Sequence, residues 1–190
     1  MDINIKRENT AIRRNKLSVP FKFLLKNNLL NGTVLDYGCG RGDNFEELRN
    51  NYKINISGYD KFQPEWSKKP NKHFDIVTCN YVLNVIEDPL ERFELIEELK
   101  TMGDQIYITV RSDIKSIKDN WIPYNDGYLT GRKNNCTFQK IYTIDMIKDE
   151  EKTKVIFSDF SELIVNQPIR LLTKYYDNGL KIKKSNEMIF

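Results

Sequence analysis

Val34-Leu35-Asp36-Tyr37-Gly38-Cys39-Gly40-Arg41-Gly42-Asp43-Asn44 is the stretch that decides the fold: an apolar strand end, an acid, a Gly-x-Gly-x-Gly turn and a helix start. Glycine at the turn positions lets the backbone take positive φ and lets a ligand approach main-chain N–H groups that a Cβ would shield. Asp36 falls at the carboxyl end of the strand, where it would repel a phosphate and attract the ammonium of an amino-acid moiety. The spacing departs from Gly-x-Gly-x-x-Gly, and no Lys-Ser/Thr pair follows, so the turn does not read as a phosphate loop.

Outward from this turn the chain alternates. Residues 18–30 offer Ser18 as an N-cap, Pro20 in the first turn and apolar residues at helical spacing, closed by Asn31-Gly32. Residues 33–37 read as a strand and 43–51 as a helix with Phe45 and Leu48 inward. Residues 54–59 give a second strand ending at Asp60, roughly 20 residues past the glycine turn, where an acid meets ribose hydroxyls in nucleoside-binding sheets. Residues 74–80 read as a buried strand, 87–102 as a helix with Phe93, Ile96 and Leu99 on one face, and 105–110 as another strand. The order predicts an open, mostly parallel α/β sheet with right-handed crossovers, a Rossmann-like arrangement. Beyond Arg111 a long polar loop dotted with aromatics runs to about residue 140, followed by a short helix from Thr143 and closing strands at 155–160 and 169–175. There is no internal repeat.

At 190 residues the chain fits one domain, 1–190, with a basic arm at 1–17 and a loop on the substrate side at 111–142. Cys39, Cys79 and Cys136 are odd in number and scattered, which predicts neither a disulfide framework nor a metal site and suits a reducing cytoplasm. No signal peptide or membrane-spanning run is legible, so a soluble protein with no membrane partner is expected. The formal net charge of +3 does not by itself argue for nucleic acid. Lys6, Arg7, Arg13, Arg14, Lys16, Lys22 and Lys26 make one end basic, and Arg132, Lys133, Lys140, Lys181, Lys183 and Lys184 the other; a solvated surface is favoured over a phosphate-facing one.

This order of residues resembles the class I S-adenosylmethionine-dependent methyltransferases. Residues 36–40 look like their first motif, Gly58-Tyr59-Asp60 like their ribose-binding second motif, and residues 74–77 leading to 80–89 like their fourth-strand region. More narrowly the chain resembles the methyltransferases associated with DNA phosphorothioation clusters, without their carboxyl-terminal extension. That likeness rests on residues 10–14, 17–20, 36–43 and 81–89, and above all on Asp126-Gly127-Tyr128-Leu129-Thr130 followed by residues 137–143. The resemblance implies S-adenosyl-L-methionine as cofactor, bound by Asp36, Tyr37, Gly38, Cys39, Gly40, Asp43, Asn44, Asp60, Lys61, Phe62, Asn80 and Tyr81. Between Asp60 and Phe74 too few residues remain for a helix and a further strand, so the third strand of the class is expected to be missing. The acid that usually follows that strand goes with it, leaving Phe62 or Trp66 to stack on the adenine.

His73, the only histidine, reads as a surface residue, and none of the cysteines follows a proline as the nucleophile of the cytosine-carbon enzymes does. Asn80-Tyr81 lacks both prolines of the amino-methyltransferase motif. Asp126, Arg132, Gln139, Lys140 and Tyr142 fall before the closing strands, on the side where ligands sit in open sheets; Asp126, Lys140 and Tyr142 are the candidate bases should the acceptor have to lose a proton. The expected activity is methyl transfer to a nucleic acid or modified nucleotide. The alternatives are a small metabolite as acceptor, or a non-catalytic module that binds adenosylmethionine or a protein partner.

Overall fold

The computed structural model describes residues 3–111, 114, 116–132, 135–142, 156–158 and 161–163. Four parallel strands, β1 (Val34–Tyr37), β2 (Ile56–Tyr59), β3 (Phe74–Asn80) and β4 (Gly103–Arg111), stand in the order β2-β1-β3-β4. β1 and β3 are nearly continuous apolar runs because both faces are covered, as a parallel sheet requires. Helices α1 (Val19–Lys26), α2 (Asp43–Tyr52) and α3 (Pro89–Met102) bury Phe21, Leu24, Phe45, Leu48, Leu95 and Leu99 against the strands. The strand order reverses between β1 and β3, so the carboxyl edge there is the switch point at which open α/β sheets bind ligands. Among the described residues no helix is long and apolar enough to cross a membrane.

Residues 61–73 cross from β2 to β3 with only a 3-10 turn, Pro64–Trp66, and no strand of their own, as their length predicts. Several other expectations need correcting. α1 stops at Lys26, four residues short, because Asn28 takes a left-handed φ of 55°. Ser18 accepts from the Lys22 N–H through its carbonyl at 3.0 Å, but its side chain makes no cap hydrogen bond. On α3 the inward stripe is Arg92, Leu95, Leu99 and Met102, and Phe93 lies 60 % exposed. A charged residue opens that stripe, and it points inward because its guanidinium donates to the Ile86 carbonyl at 2.6 Å and pairs with Asp126.

The polar loop expected before residue 140 is instead a second, antiparallel sheet of β5 (Ile122–Tyr124), β6 (Gly127–Arg132) and β7 (Asn135–Gln139). Its first turn is the two-residue Asn125-Asp126 step before Gly127, a hairpin signal hidden among polar residues. β8 (Ile156–Ser158) answers to the strand expected at 155–160; with β9 (Ser161–Leu163) it adds an antiparallel edge to β4. The helix expected from Thr143 and the strand expected at 169–175 lie outside the described residues.

Candidate active site

A cleft of about 660 Å³ opens at the carboxyl edge of β1, β2 and β3, a size typical of pockets that hold one cofactor or small ligand. Every residue expected to hold the cofactor lines it: Asp36, Tyr37, Gly38, Cys39, Gly40, Asp43, Asn44, Asp60, Lys61, Phe62, Asn80 and Tyr81. Asp36 sits at its floor, 2 % exposed, with an Oδ1 that accepts from the Thr78 hydroxyl at 3.2 Å. Burial pushes its carboxyl up to about 7, against the pull of that hydrogen bond and of the Arg14 charge. An ammonium brought to this carboxylate would restore its charge. Gly38 has φ 72° and Gly40 φ 57°, and a Cβ on Gly38 would lie 2.2 Å from Val82 Cγ2, so the turn is shaped where only glycine fits.

The turn differs from expectation in one respect. Its N–H groups do not face the cleft as free donors: those of Gly38 and Cys39 donate to the Tyr59 carbonyl at 2.7 and 3.1 Å, that of Gly40 to Asp60 Oδ2 at 2.8 Å and that of Gly42 to the Cys39 carbonyl at 3.1 Å. Asp60 Oδ1 takes the Phe62 N–H at 2.9 Å. Each carboxylate oxygen keeps a lone pair for a hydroxyl, so Asp60 both braces the turn and can receive a ribose. Phe62 is 41 % exposed at the cleft with the Lys61 ammonium 5.0 Å from its ring, while Trp66 packs edge-on against Phe45 and does not line the cleft; Phe62 alone suits an adenine face.

The amino-terminal arm is a roof. Arg7, Glu8, Thr10, Ala11, Ile12 and Arg14 line the cleft. Arg7 forks onto Glu91 with two bonds of 2.6 Å and reaches Glu87 at 2.8 Å. The Arg7 hydrogen bonds, with Lys61 at 2.8 Å, hold the Glu91 carboxyl down to about 2 although partial burial opposes them. Asp43 accepts from Arg13 Nη1 at 2.9 Å and from the Arg14 N–H at 2.8 Å, and Asn44 Oδ1 accepts from the Ser18 N–H at 2.9 Å, so these two predicted cofactor residues anchor the arm. The Lys6 N–H donates to the Cys136 carbonyl at 2.8 Å, tying the arm to β7. Arg7 and Arg13 thus serve carboxylates of the same chain. Sequence reasoning grouped them as surface charge because the partners lie 30 to 84 positions away.

Asp126, Lys140 and Tyr142 do not line the cleft. Asp126 takes Lys140 Nζ at 2.7 Å and also pairs with Arg92; burial alone would raise its carboxyl, but these two cations hold it below the ordinary range. The cluster pins the β5–β6 turn to α3, and Lys140 Nζ sits 5.2 Å from the Tyr142 ring, which is buried. Of the three expected bases, Asp126 and Lys140 are thus paired with each other, and Asp126 with Arg92 as well, away from the lining of the cleft. Gln139, by contrast, does reach the lining. His73 contacts Asp104 at 2.8 Å, at the opposite, amino-terminal edge of β3. Burial pushes the Cys39 and Cys79 thiols up, which makes them poor nucleophiles.

Residues 10–148 match a family described as a methyltransferase domain. Among curated proteins none matches the chain. Among solved structures the chain is similar to the PH0226 protein from Pyrococcus horikoshii OT3, at 18% identity and TM-score 0.53 over 76% of this chain and 85% of that one. It is also similar to an S-adenosylmethionine-dependent methyltransferase from Clostridium acetobutylicum ATCC 824, at 13% identity and TM-score 0.51 over 77% and 89% of the two chains. A third likeness is to Burkholderia thailandensis 1,6-didemethyltoxoflavin-N1-methyltransferase, at 11% identity and TM-score 0.50 over 75% and 73%. These likenesses concern the fold. The family match covers well over half of the chain and agrees with the buried Asp36, the glycine cradle and Asp60: the chain belongs to the methyltransferase-domain family and is an S-adenosylmethionine-dependent methyltransferase.

Proposed function

We propose that the acceptor is a small molecule enclosed with the cofactor beneath the amino-terminal arm. The observation that carries this reading is the roof: Arg7, Glu8, Thr10, Ala11, Ile12 and Arg14 line the cleft, and the arm is fixed by Arg7 on Glu87 and Glu91, by the Arg14 N–H on Asp43 and by the Lys6 N–H on the Cys136 carbonyl. A cleft lined by the arm as well as by the sheet edge suits a ligand that can be surrounded, which limits the water that would compete for the reacting centre. Bound adenosylmethionine supplies an already activated methyl group. Asp36 holds the ammonium, Asp60 the ribose, and Phe62 one face of the adenine. Asn80 and Tyr81, at the end of β3, border the acceptor side; Tyr81 is fixed there at φ 65° by its N–H on the Thr109 carbonyl at 2.7 Å. What remains for the chain is alignment of the acceptor with the methyl group.

A modified nucleotide or nucleic acid is the second reading. It is favoured by the partly exposed Tyr128 on the second sheet and Trp121 just before it, whose rings lie 6.0 Å apart, and by the narrower resemblance to phosphorothioation-associated enzymes, whose most specific residues, 126–130 and 137–142, fall in and beside that sheet. Incubation with methyl-labelled adenosylmethionine and a lysate separated into DNA, RNA, protein and small molecules decides between them. Label in the small-molecule fraction is expected; label confined to DNA or RNA would refute the enclosed-metabolite reading.

A further inference from the structure

The second sheet sends one side chain to the cleft. Of the described residues of β5, β6 and β7, only Gln139, at the end of β7, joins the lining. The splice that holds it there is Asn84, 1 % exposed in the 3-10 turn Leu83–Val85 beyond β3. The Asn84 carbonyl accepts from the Lys140 N–H at 2.7 Å, its Nδ2 donates to the Lys140 carbonyl at 3.1 Å, and its Oδ1 accepts from the Arg111 N–H at 2.8 Å. One buried residue therefore ties the end of β7 to the carboxyl end of β4. Gln139 is fixed beside the segment that carries Asn80 and Tyr81, toward β4 and away from β2 and Asp60 in the sheet order. This is the acceptor side of the cleft.

Gln139 is only 9 % exposed. Its Nε2 donates to the Lys140 carbonyl at 2.7 Å, which sets the orientation of the amide, because the flipped group would place oxygen against oxygen. Oε1 is left as the open polar atom of the side chain: among the described residues no hydrogen bond to it is present. A neutral carbonyl oxygen in a largely buried wall accepts an N–H or O–H and repels an anion. It is too weak a base to remove a proton.

We propose that Gln139 selects the methyl acceptor, and that the acceptor presents to it the N–H of an uncharged primary or secondary amine. The inference rests on the enclosed small-molecule reading and adds the chemistry of the reacting atom. Transfer to such a nitrogen balances without a base. The nitrogen lone pair forms the bond to the methyl carbon, the bond from that carbon to sulfur breaks with its electrons passing to sulfur, and the surplus proton leaves the methylated nitrogen for water. Positive charge grows on the nitrogen as the bond forms, so the N–H bond to Oε1 strengthens on the way to the transition state. A hydroxyl has to give up its proton, which Gln139 cannot take, and a carboxylate acceptor is repelled.

The full chain, given adenosylmethionine with an isotope-labelled methyl group and the small-molecule extract of a cell lysate, tests this. The NMR shift of the transferred methyl carbon separates attachment to nitrogen, oxygen and sulfur, and an N-methyl product of the wild type is expected. Gln139→Met, which keeps the bulk and removes the acceptor, should lower the rate of methyl transfer about tenfold. Gln139→Glu, which keeps an acceptor oxygen, should retain more of the rate than Gln139→Met. Both variants should bind adenosylhomocysteine within about twofold of the wild type in calorimetry and melt near it, since Asn84 Nδ2 still serves the Lys140 carbonyl. An O- or S-methyl product, a wild-type rate in Gln139→Met, or a loss of adenosylhomocysteine affinity that matches the loss of rate would overturn the assignment alone. Wild-type protein that binds adenosylhomocysteine but methylates nothing in the extract would overturn the small-molecule reading and the assignment with it.

Discussion

Asp36→Asn should stabilise the cofactor-free protein while it removes cofactor binding. The carboxyl is buried to 2 % and its pKa rises to about 7 from 3.8. A group whose folded pKa lies above its unfolded one binds its proton more tightly when folded, so stability falls as pH rises from about 4 to 7 and the full cost is reached above 7. With 1.36 kcal/mol for each pH unit, the ionised Asp36 costs roughly 4 kcal/mol at pH 8 and less than half of that at pH 5. The amide of the variant has no proton to lose in this range and carries no such cost. Urea unfolding of the two proteins across that range should therefore show the wild type losing roughly 2–3 kcal/mol relative to the variant between pH 5 and pH 8, and comparing the two removes the contribution of the other titrating groups.

Binding should run the opposite way. The ammonium requires the charged carboxylate, so adenosylmethionine affinity is expected to fall toward tenfold per pH unit below about 7, with proton release on binding at pH 6. A stability difference that stays flat with pH, or an affinity that does not change between pH 6 and 8, would refute the assignment of Asp36 as a strained counter-charge waiting for its ligand.

Asp60→Ala removes the acceptor of the Gly40 and Phe62 N–H groups as well as the ribose partner, so adenosylhomocysteine affinity should drop by about 1–3 kcal/mol in calorimetry. Gly38→Ala forces a Cβ to 2.2 Å from Val82 Cγ2 at a left-handed φ; a loss of about 2–4 kcal/mol in urea unfolding is expected, with part of it recovered when Val82→Ala is added. Asp126→Asn should lower stability by about 1 kcal/mol, since its pairs are partly exposed, and leave adenosylhomocysteine affinity within about twofold; a selective loss of turnover with intact stability would return Asp126 to the role of base.

The parts of the molecule that were legible in sequence are those set by local chemistry. The glycine turn, the strand-end acids Asp36 and Asp60 and the missing third strand follow from backbone freedom, charge and chain length, each readable within a few residues. What was not legible depends on partners distant in sequence. Arg92 breaks the apolar stripe of α3 because its guanidinium is satisfied by Ile86 and by Asp126, 34 residues on. Asp126, Lys140 and Tyr142 read as candidate bases from their place in the chain, and the pairing of Asp126 with Lys140 and Arg92 was not legible there. The second sheet was concealed because its strands carry few apolar residues, and its turn signal, Asn125-Asp126-Gly127, stood in a polar stretch that also reads as loop.

Glu91 shows why the roof and the shortened crossover belong to one design. Its two carboxylate oxygens take both terminal nitrogens of Arg7, on the arm, and Nζ of Lys61, at the start of the connection that replaces the missing strand. Lys61 directly precedes Phe62, whose N–H is held by Asp60, the residue that also holds Gly40. The acid of α3 therefore joins the roof to the cleft wall, and Asp60 joins that wall to the turn at the cofactor floor. Without the usual strand and helix beside β2, residues 61–73 have no sheet hydrogen bonds to fix them; the ion pairs to α3 and the packing of Trp66 on Phe45 take over that task. Partly buried charge clusters are a costly way to position a loop, and they are used here where the wall meets the arm on one side and the turn at the cofactor floor on the other.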